Sequence, residues 1–314
     1  MASRSVNAGG ARLGEVTITN PDKVWWPDDG ITKLDVATHY ARVAPRLLPW
    51  TTDRPLTVER CPDGMLGPCF YQKNFALAEK LGVTTRAIRA ASVNRIVHYP
   101  LANDLRTLLI LVNLGGLSLH LMNCRASSLE RPDWLAFDLD PPARFADAVR
   151  AAGVLRDVLD AAGLRGYAKT TGGKGLHVLV PLRPGPDHAD VMAYAHRVAE
   201  KMVTKAPALV TTAFSKSGRG GRVYIDVGRN VFGATVVAPY SVRRRPHAPV
   251  STPLAWHEVT PDLDPASLNV RTAADRLRSA DPWRKVWSDL QELPGPEARR
   301  PDTPPGRRRR RSAA

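Results

Sequence analysis

DWLAFDLDPP, residues 133–142, contains an apolar run that carries two carboxylates, Asp138 and Asp140, near its end and is followed by two prolines. Side chains alternate between the faces of an extended strand, so Asp138 and Asp140 should project together, opposite the intervening apolar residues. Neighbouring carboxylates repel each other unless a cation lies between them, and hard oxygen ligands suit Mg²⁺ or Mn²⁺. The stretch therefore predicts either a metal-binding strand or a strand whose solvent face is simply acidic.

Three further stretches repeat this pattern of one apolar and one polar face. They are residues 117–121 with Ser118 and His120, residues 176–180 with His177, and residues 223–227 with Asp226. If the four strands form one sheet, these side chains converge with Asp138 and Asp140 on its open side. A single buried histidine or aspartate is usually structural, but four strands of matching parity favour a shared site.

Helical periodicity separates these strands and predicts the fold class. Amphipathic helices are expected over residues 145–162 and 188–205, and Thr32 is a suitable N-cap for a helix over residues 32–48. The alternation predicts an α+β fold with an RRM-like, split β-α-β sheet, antiparallel or mixed, packed by helices, and an N-terminal α/β subregion. Further elements are expected as strands near 209–214, 222–227 and 234–237 and as helices over 274–278 and 282–290.

Composition indicates a globular protein with a polyanionic partner. The 314 residues are 43% apolar and 24% charged, and the formal net charge is +15. Lys and Arg gain free energy by displacing counterions from phosphates, so nucleic acid is the expected partner. We expect a mobile leader over residues 1–11, one catalytic domain over 12–290, and a disordered tail rich in Pro and Arg over 291–314.

The cysteines and the hydropathy of the sequence predict the cellular location of the protein. Cys61, Cys69 and Cys124 form neither an even disulfide framework nor a C-x-x-C pair, which favours a reduced setting and no zinc site. No stretch reaches the roughly 18 to 20 apolar residues of a membrane span, and the N-terminus lacks an apolar signal core. The expected location is cytoplasmic, on the nucleoid, with no membrane contact.

Three basic regions offer phosphate ligands. Residues 169–177 read KTTGGKGLH, in which glycines, a hydroxyl and Lys174 can approach phosphate oxygens, although a plain glycine hairpin is the alternative. A second region spans Lys216 to Arg222, and a third contains the guanidiniums of residues 243–245. With metal ions on the aspartates, these groups could neutralise a triphosphate during two-metal phosphoryl transfer.

The N-terminal part contains two smaller candidate sites. Asn20, Lys23 and Lys33 flank turns and a helix start, where phosphate is readily bound, although solvated surface lysines are the alternative. Phe70 and Tyr71 are adjacent aromatics, so in a buried strand one of them would be exposed and could stack on a nucleobase. Ordinary core packing of both rings is the competing interpretation.

Residues 134–142, 170–180, 222–230 and 237–243 together resemble the polymerase domain of bacterial end-joining ligases of the LigD type, within the archaeo-eukaryotic primase superfamily. The resemblance covers roughly residues 14–290. It implies a template-dependent DNA/RNA nucleotidyltransferase that extends primers and fills short gaps at double-strand breaks in bacterial non-homologous end joining. It also implies two Mn²⁺ or Mg²⁺ ions, NTP or dNTP substrates, and DNA ends with a 5′-phosphate.

The same resemblance assigns roles to individual residues. As metal ligands and catalytic residues it implies Asp138, Asp140 and Asp226. Around the nucleotide it implies His120, Thr171, Gly172, Gly173, Lys174, His177, Lys216, Ser241 and Arg243. On the template DNA it implies Phe70, Tyr71, Lys73 and Arg219, and on the 5′-phosphate Asn20, Lys23 and Lys33.

The chain also departs from the family pattern. Thr171 stands where Ser is common, and Val227 and Gly228 follow Asp226 where an aromatic and a larger residue are usual. No ligase K-x-D-G motif is present, so a separate DNA ligase and an end-binding partner such as Ku are expected. The alternatives are a non-catalytic RRM-like protein that bridges DNA ends and a primase that starts chains without a primer.

Overall fold

The computed structural model describes residues 6–7, 10–90 and 94–295. The strands in these ranges are β1 (Val6–Asn7), β2 (Gly10–Leu13), β3 (Val16–Thr19), β4 (Val24–Trp26), β5 (Ile31–Thr32), β6 (Leu56–Arg60), β7 (Phe70–Gln72), β8 (Thr85–Ala90), β9 (Arg95–Pro100), β10 (Gly116–Leu121), β11 (Cys124–Arg125), β12 (Ser128–Pro132), β13 (Trp134–Asp140), β14 (Tyr167–Thr170), β15 (Leu176–Pro181), β16 (Val210–Thr211), β17 (Val223–Asp226), β18 (Val236–Val237) and β19 (Pro253–Leu254). The helices are α1 (Lys33–Thr51), α2 (Ala78–Leu81), α3 (Leu105–Asn113), α4 (Phe145–Ala161), α5 (His188–Lys205) and α6 (Ala273–Arg276).

A six-stranded sheet with β13 near its centre organises the C-terminal part of the chain. Its order is β16-β17-β13-β15-β14-β19, and every pairing is antiparallel except β16 with β17. Helix α4 links β13 to β14, which flank β15 in the sheet, and helix α5 follows β15 and leads to the edge strand β16 beside β17. This split β-α-β connectivity confirms the predicted α+β class.

The two faces of β13 are buried against different parts of the protein. Leu135, Phe137 and Leu139 are fully buried in a core that includes α4 and α5. On the opposite face, Trp134 and Ala136 are buried in a second core built with residues of α1 and α3. That second core ends at Ala136, so the polar face of the last residues of β13 is left free of apolar packing.

The N-terminal subregion contains a four-stranded sheet of order β18-β10-β6-β7. Strand β10 pairs with β6 and β18, not with β13, so the prediction that all four alternating strands form one sheet is wrong. The alternation of side chains specifies the faces of a strand but carries no information about its neighbours. Helix α1 begins at the Thr32 N-cap, as predicted.

Several predicted boundaries differ from the structure. Residues 6–7 and 10–11, assigned to a leader, lie in β1 and β2, and the strand expected over 209–214 is only β16. The helix expected over 282–290 is absent apart from a short 3₁₀ turn at Val286–Ser288, because Trp283 packs into the core beside Trp50. Gln291 is buried and bridges to Leu182, so the fold continues past residue 290, while 296–314 lie outside the described residues.

Cys61 and Cys69 form a disulfide, contrary to the expectation from the sequence. Arg60 pairs with Phe70 across β6 and β7, so the two cysteines that follow and precede these residues lie opposite each other, with Cα atoms 4.5 Å apart. Cys124 is free and buried. Among the described residues, no helix combines the length and the apolar character that a membrane crossing requires.

Candidate active site

Four polar side chains form a row across four adjacent strands of the six-stranded sheet. Asp226 on β17 lies opposite Asp138 on β13, which lies opposite His177 on β15, which lies opposite Lys169 on β14. Directly opposed residues have Cβ atoms about 4.5–5.5 Å apart. Asp140, two residues after Asp138, shares the same face, so three carboxylates lie together as the sequence predicted.

This row forms one wall of a cleft of about 540 Å³, to which both sheets contribute. The predicted residues that line the cleft are Tyr71, His120, Asp138, Asp140, Thr171, Gly172, Gly173, Lys174, His177, Arg219, Asp226 and Arg243. Strand β10 therefore brings His120 to the site from the neighbouring sheet. The lining also includes residues that we did not predict, namely Phe214, Tyr224 and Arg229.

Each carboxylate is paired with a cation of the protein itself. Arg229 lies 3.0 Å from Oδ2 of Asp226 and 3.5 Å from Oδ2 of Asp138, and Arg219 lies 3.0 Å from Oδ2 of Asp140. Within the described residues, no three His, Cys, Asp or Glu side chains are already arranged to hold a metal ion. The guanidiniums therefore occupy the positions next to the carboxylates that a divalent cation would take.

A short 3₁₀ turn aims Arg229 at the aspartates. The buried amide of Asn230 donates to the carbonyl of Ala136 and accepts from its N–H, both at 2.8 Å, which ties the turn to β13. The Gly228 N–H donates to Oδ1 of Asp226 at 2.9 Å. The periodicity of the sequence does not predict the contacts of Asn230 and Gly228. The position of Arg229, three residues after the predicted metal ligand Asp226, could nevertheless have indicated that it lies near the site.

The environment separates the protonation states of the two central side chains. Burial alone would raise the pKa of Asp138, but His177 and Arg229 nearby lower it below its usual value. Burial and the adjacent Lys169 lower the pKa of His177 to about 4. At neutral pH Asp138 is therefore an ionised carboxylate and His177 a neutral imidazole.

His120 faces the same cleft and has unused hydrogen-bonding capacity. Its Nε2 is buried without a hydrogen-bond partner, and its ring contacts Tyr71 edge to face at 5.4 Å between centroids. Burial lowers its pKa well below the ordinary value, so the ring is neutral. An unpaired buried polar atom is costly, and a ligand in the cleft would satisfy it.

The glycine loop after β14 packs tightly against Arg243. Gly172 has φ +69°, and a Cβ there would overlap Cγ of Arg243. A Cβ at Gly175 would approach the carbonyl oxygen of Leu139 to 2.6 Å. Lys174 donates to the carbonyl of Pro142 at 2.8 Å at the rim. Glycine is needed here because the loop backbone passes close to both neighbours.

Three residues predicted near the site lie apart from the cleft lining. Ser118 is buried and donates to the carbonyl of Val242 at 2.6 Å. Ser241 is also fully buried, where it accepts from the Leu119 N–H at 2.8 Å. Lys216 is exposed on the loop before β17. The two serines are occupied by structural hydrogen bonds that polarity patterns cannot reveal.

The adjacent aromatics lie on the edge strand β7, and both are exposed. Phe70 carries Arg60 over its ring at 5.4 Å, whereas Tyr71 reaches the cleft. Lys73 follows them and is exposed. The alternative interpretation, in which both rings pack in the core, is therefore wrong.

Asn20, Lys23 and Lys33 meet at one turn, as predicted. The Lys33 N–H donates to the Lys23 carbonyl at 2.8 Å, and Asn20 begins the turn with φ +49°. Burial, with Lys23 close by, lowers the pKa of Lys33 to about 8, and its Nζ donates to the Thr19 carbonyl at 2.7 Å. Lys23 forms an ion pair with Asp63 at 2.6 Å.

Comparison with known proteins shows the family to which the chain belongs. The family model of the LigD primase-polymerase domain matches residues 32–283. Over 273 residues the chain is 35% identical to the multifunctional non-homologous end joining DNA repair protein LigD of Mycobacterium tuberculosis, covering 82% of this chain and 35% of that protein. Over 300 residues it is 32% identical to the LigD protein of Pseudomonas aeruginosa, covering 93% of this chain and 35% of that protein.

The chain thus spans about a third of the length of these curated relatives. A solved structure, the polymerase domain from Mycobacterium tuberculosis ligase D in complex with DNA, superposes with a TM-score of 0.81 and 32% identity. That match covers 89% of this chain and all of the other. On these grounds the chain belongs to the LigD primase-polymerase domain family.

Proposed function

We propose that this protein is a template-dependent nucleotidyltransferase that extends primers and fills short gaps at double-strand breaks in bacterial non-homologous end joining. The observation that carries the proposal is the row of Asp226, Asp138 and His177 with Asp140, which opens into a cleft lined by a glycine loop and arginines. Membership of the family and the likeness to a polymerase domain solved with DNA support it.

Asp138, Asp140 and Asp226 would hold the metal ions. Three carboxylates on one face of two adjacent strands supply hard oxygen donors, which suit Mn²⁺ or Mg²⁺ better than zinc. Bound there, two divalent cations would lower the pKa of a primer 3′-hydroxyl and offset the charge on the leaving pyrophosphate. Arg229 and Arg219 must move away from the carboxylates for this to happen.

The nucleotide would lie along the glycine loop. The N–H groups and hydroxyl of residues 171–173, with Lys174 at the rim, suit triphosphate oxygens, and Arg243 extends this basic surface. His120, whose Nε2 lacks a partner, would bind the sugar or base of the nucleotide. Lys216 and Ser241, which the resemblance places around the nucleotide, do not line the cleft.

DNA would approach across the exposed edge of β7. Tyr71 and Phe70 offer ring faces for stacking on an unpaired template base, and Lys73 and Arg219 offer positive charge for its backbone. The turn with Asn20, Lys23 and Lys33 would hold the 5′-phosphate across the gap, because two lysines lie close together at the N-terminus of α1, where the helix dipole favours an anion. Occupation would require the phosphate to displace Asp63 from Lys23.

The cellular setting is proposed on the same basis. Gap filling leaves a nick, so end joining also needs a DNA ligase activity, and an end-binding protein such as Ku would hold the two ends together. DNA is found in the bacterial cytoplasm, where the protein would work on the nucleoid.

The test is primer extension on a gapped duplex with a 5′-phosphorylated downstream strand, in the presence of Mn²⁺. Asp138→Asn should abolish extension while DNA binding survives, because it removes one ligand charge and leaves the basic surface intact. Asp160→Asn is the matched control, since that carboxylate is exposed on α4 and, within the part of the chain that the structure describes, forms an ion pair with Arg156 outside the cleft. Extension by Asp138→Asn at the control rate would refute the proposed function.

A further inference from the structure

A buried lysine completes the polar row without touching the carboxylates. Lys169 is fully buried, and its Nζ lies 2.9 Å from Nδ1 of His177 and 2.7 Å from Oγ of Ser251. Burying an amine is costly unless it is hydrogen-bonded, and both of these partners are neutral. Its place in the interior is therefore not explained by a direct ion pair.

The surrounding contacts show the direction in which Lys169 donates. The Ser251 hydroxyl gives its hydrogen to the Thr170 carbonyl at 2.7 Å, so its oxygen accepts from Lys169. On the other side, Nε2 of His177 lies 3.4 Å from Oδ1 of Asp138, and an ionised carboxylate can only accept. The ring hydrogen therefore lies on Nε2, and Nδ1 accepts from Lys169.

We propose that Lys169 is a positioning residue that holds His177 in the Nε2–H tautomer, and that this ring orients Asp138 for cation binding. Oδ1 of Asp138 lies on the side of His177, 3.4 Å from Nε2, whereas the second oxygen, Oδ2, faces Arg229 at 3.5 Å, and Arg229 also contacts Asp226. Oδ2 is therefore the oxygen available to a cation shared by the two aspartates. This inference rests on the metal site of the proposed function.

Lys169 can donate both hydrogen bonds whether it is charged or neutral, and for a neutral amine the direction at Nδ1 follows from the contact of Nε2 with Asp138. Burial and the nearby Arg243 lower the pKa of Lys169 well below its usual value. As an amine or as an ammonium, Lys169 still carries at least two N–H donors, which serve Nδ1 of His177 and Oγ of Ser251. A donor at Nδ1 also disfavours a second proton on the ring, in agreement with the neutral state of His177.

The first measurement needs no substitution at Lys169. In the full chain labelled with ¹⁵N at histidine, the resonances of His177, assigned by their loss in His177→Gln, should show a bare Nδ1 and a protonated Nε2. A proton on Nδ1 would overturn the role of Lys169 and leave the proposed polymerase activity untouched.

The second measurement tests the consequence for the metal site. Lys169→Met keeps the length of the side chain and removes the donors, so His177 should become a mixture of tautomers. Mn²⁺ affinity, measured by calorimetry without nucleotide, should fall about 10- to 100-fold, as is typical when the support of a ligand is lost. Lys205→Met, which breaks an exposed ion pair between α5 and Asp157 of α4, should change neither property.

Two results would contradict the inference at this stage. If Lys169→Met keeps both the wild-type tautomer and the wild-type Mn²⁺ affinity, Lys169 does not position the ring. If the wild-type chain binds no Mn²⁺, both the metal site and the proposed function are contradicted. The tautomer measurement separates this result from a wrong hydrogen-bond assignment, because it reports the Lys169–His177 contact without any metal.

Discussion

Arg229 should compete with metal ions for the two opposed aspartates. Its guanidinium lies 3.0 Å from Asp226 and 3.5 Å from Asp138, on the oxygens that would face a shared cation. Arg229→Gln removes the positive charge and retains a polar side chain of moderate length. We therefore expect this variant to bind Mn²⁺ more tightly than the wild type in the absence of nucleotide.

The size of the effect follows from the exposure of the ion pair. The Arg229 side chain is 42% exposed, so water and salt screen its attraction to the carboxylates. Such pairs contribute about 0–1 kcal/mol, and 1 kcal/mol corresponds to about a fivefold change in a binding constant. The expected gain in Mn²⁺ affinity is therefore at most about fivefold, and it should shrink as salt is added.

Calorimetric titration of Mn²⁺ at low ionic strength measures this gain. Arg156→Gln provides a matched control, because it breaks an exposed ion pair on α4 that is not part of the cleft. An Arg229→Gln variant that binds Mn²⁺ no better than Arg156→Gln would show that Arg229 does not compete for the carboxylates.

Three other predictions concern stability and the cleft. Asp133→Asn should destabilise the fold by about 3–5 kcal/mol in urea, because it leaves the fully buried Arg54 without its anion. Burial opposes ionisation of Asp133, but its ion pairs with Arg54 and Arg125 lower its pKa in the folded state. The contribution of Asp133 to the free energy of unfolding is therefore fully present above about pH 4, and it is lost as the pH falls through the lowered pKa. Gly172→Ala should cost about 1–3 kcal/mol and weaken nucleotide binding, because it strains a φ of +69° and displaces Arg243. Tyr71→Ala should weaken binding to DNA with an unpaired template base by about 1–3 kcal/mol.

Controls for these variants come from the same chain. Gly153 lies in α4 with no atom within 4 Å of an added Cβ, so Gly153→Ala should not lower the free energy of unfolding. An equal loss of stability in Gly172→Ala and Gly153→Ala would refute the explanation by strain at Gly172. For Tyr71→Ala the control is a fully paired duplex, and an equal loss on both DNAs would argue against stacking. Urea curves for Asp133→Asn that match the wild type at pH 7 would mean that the buried pair does not stabilise the fold.

Strand parity allowed much of the site to be predicted. The apolar face of β13 and its two aspartates follow from a period of two, and Asp226 and His177 were recognised in the same way. Parity could not predict that β10 belongs to another sheet, since hydrogen-bond partners depend on the whole fold. His120 nevertheless reaches the cleft, because both sheets line it.

The residues that were missed act through tertiary contacts. Arg229 faces the aspartates because Asn230 binds the backbone of Ala136, a contact between residues 94 positions apart. Lys169 sits in the row because β14 pairs with β15, and its burial depends on Ser251 in a distant segment. Helical propensity over residues 282–290 was likewise overruled by packing of Trp283 in the core.

Gap-filling polymerase activity is tested most directly by measuring the incorporation of labelled nucleotides on two templates with Mn²⁺ present. One template is a gapped duplex with a 5′-phosphate, and the other is an unprimed single strand. A gap-filling polymerase should incorporate nucleotides on the gapped duplex and lose this activity in Asp226→Asn. Incorporation on the unprimed strand alone would identify a primase instead, and binding without incorporation on either template would contradict the account.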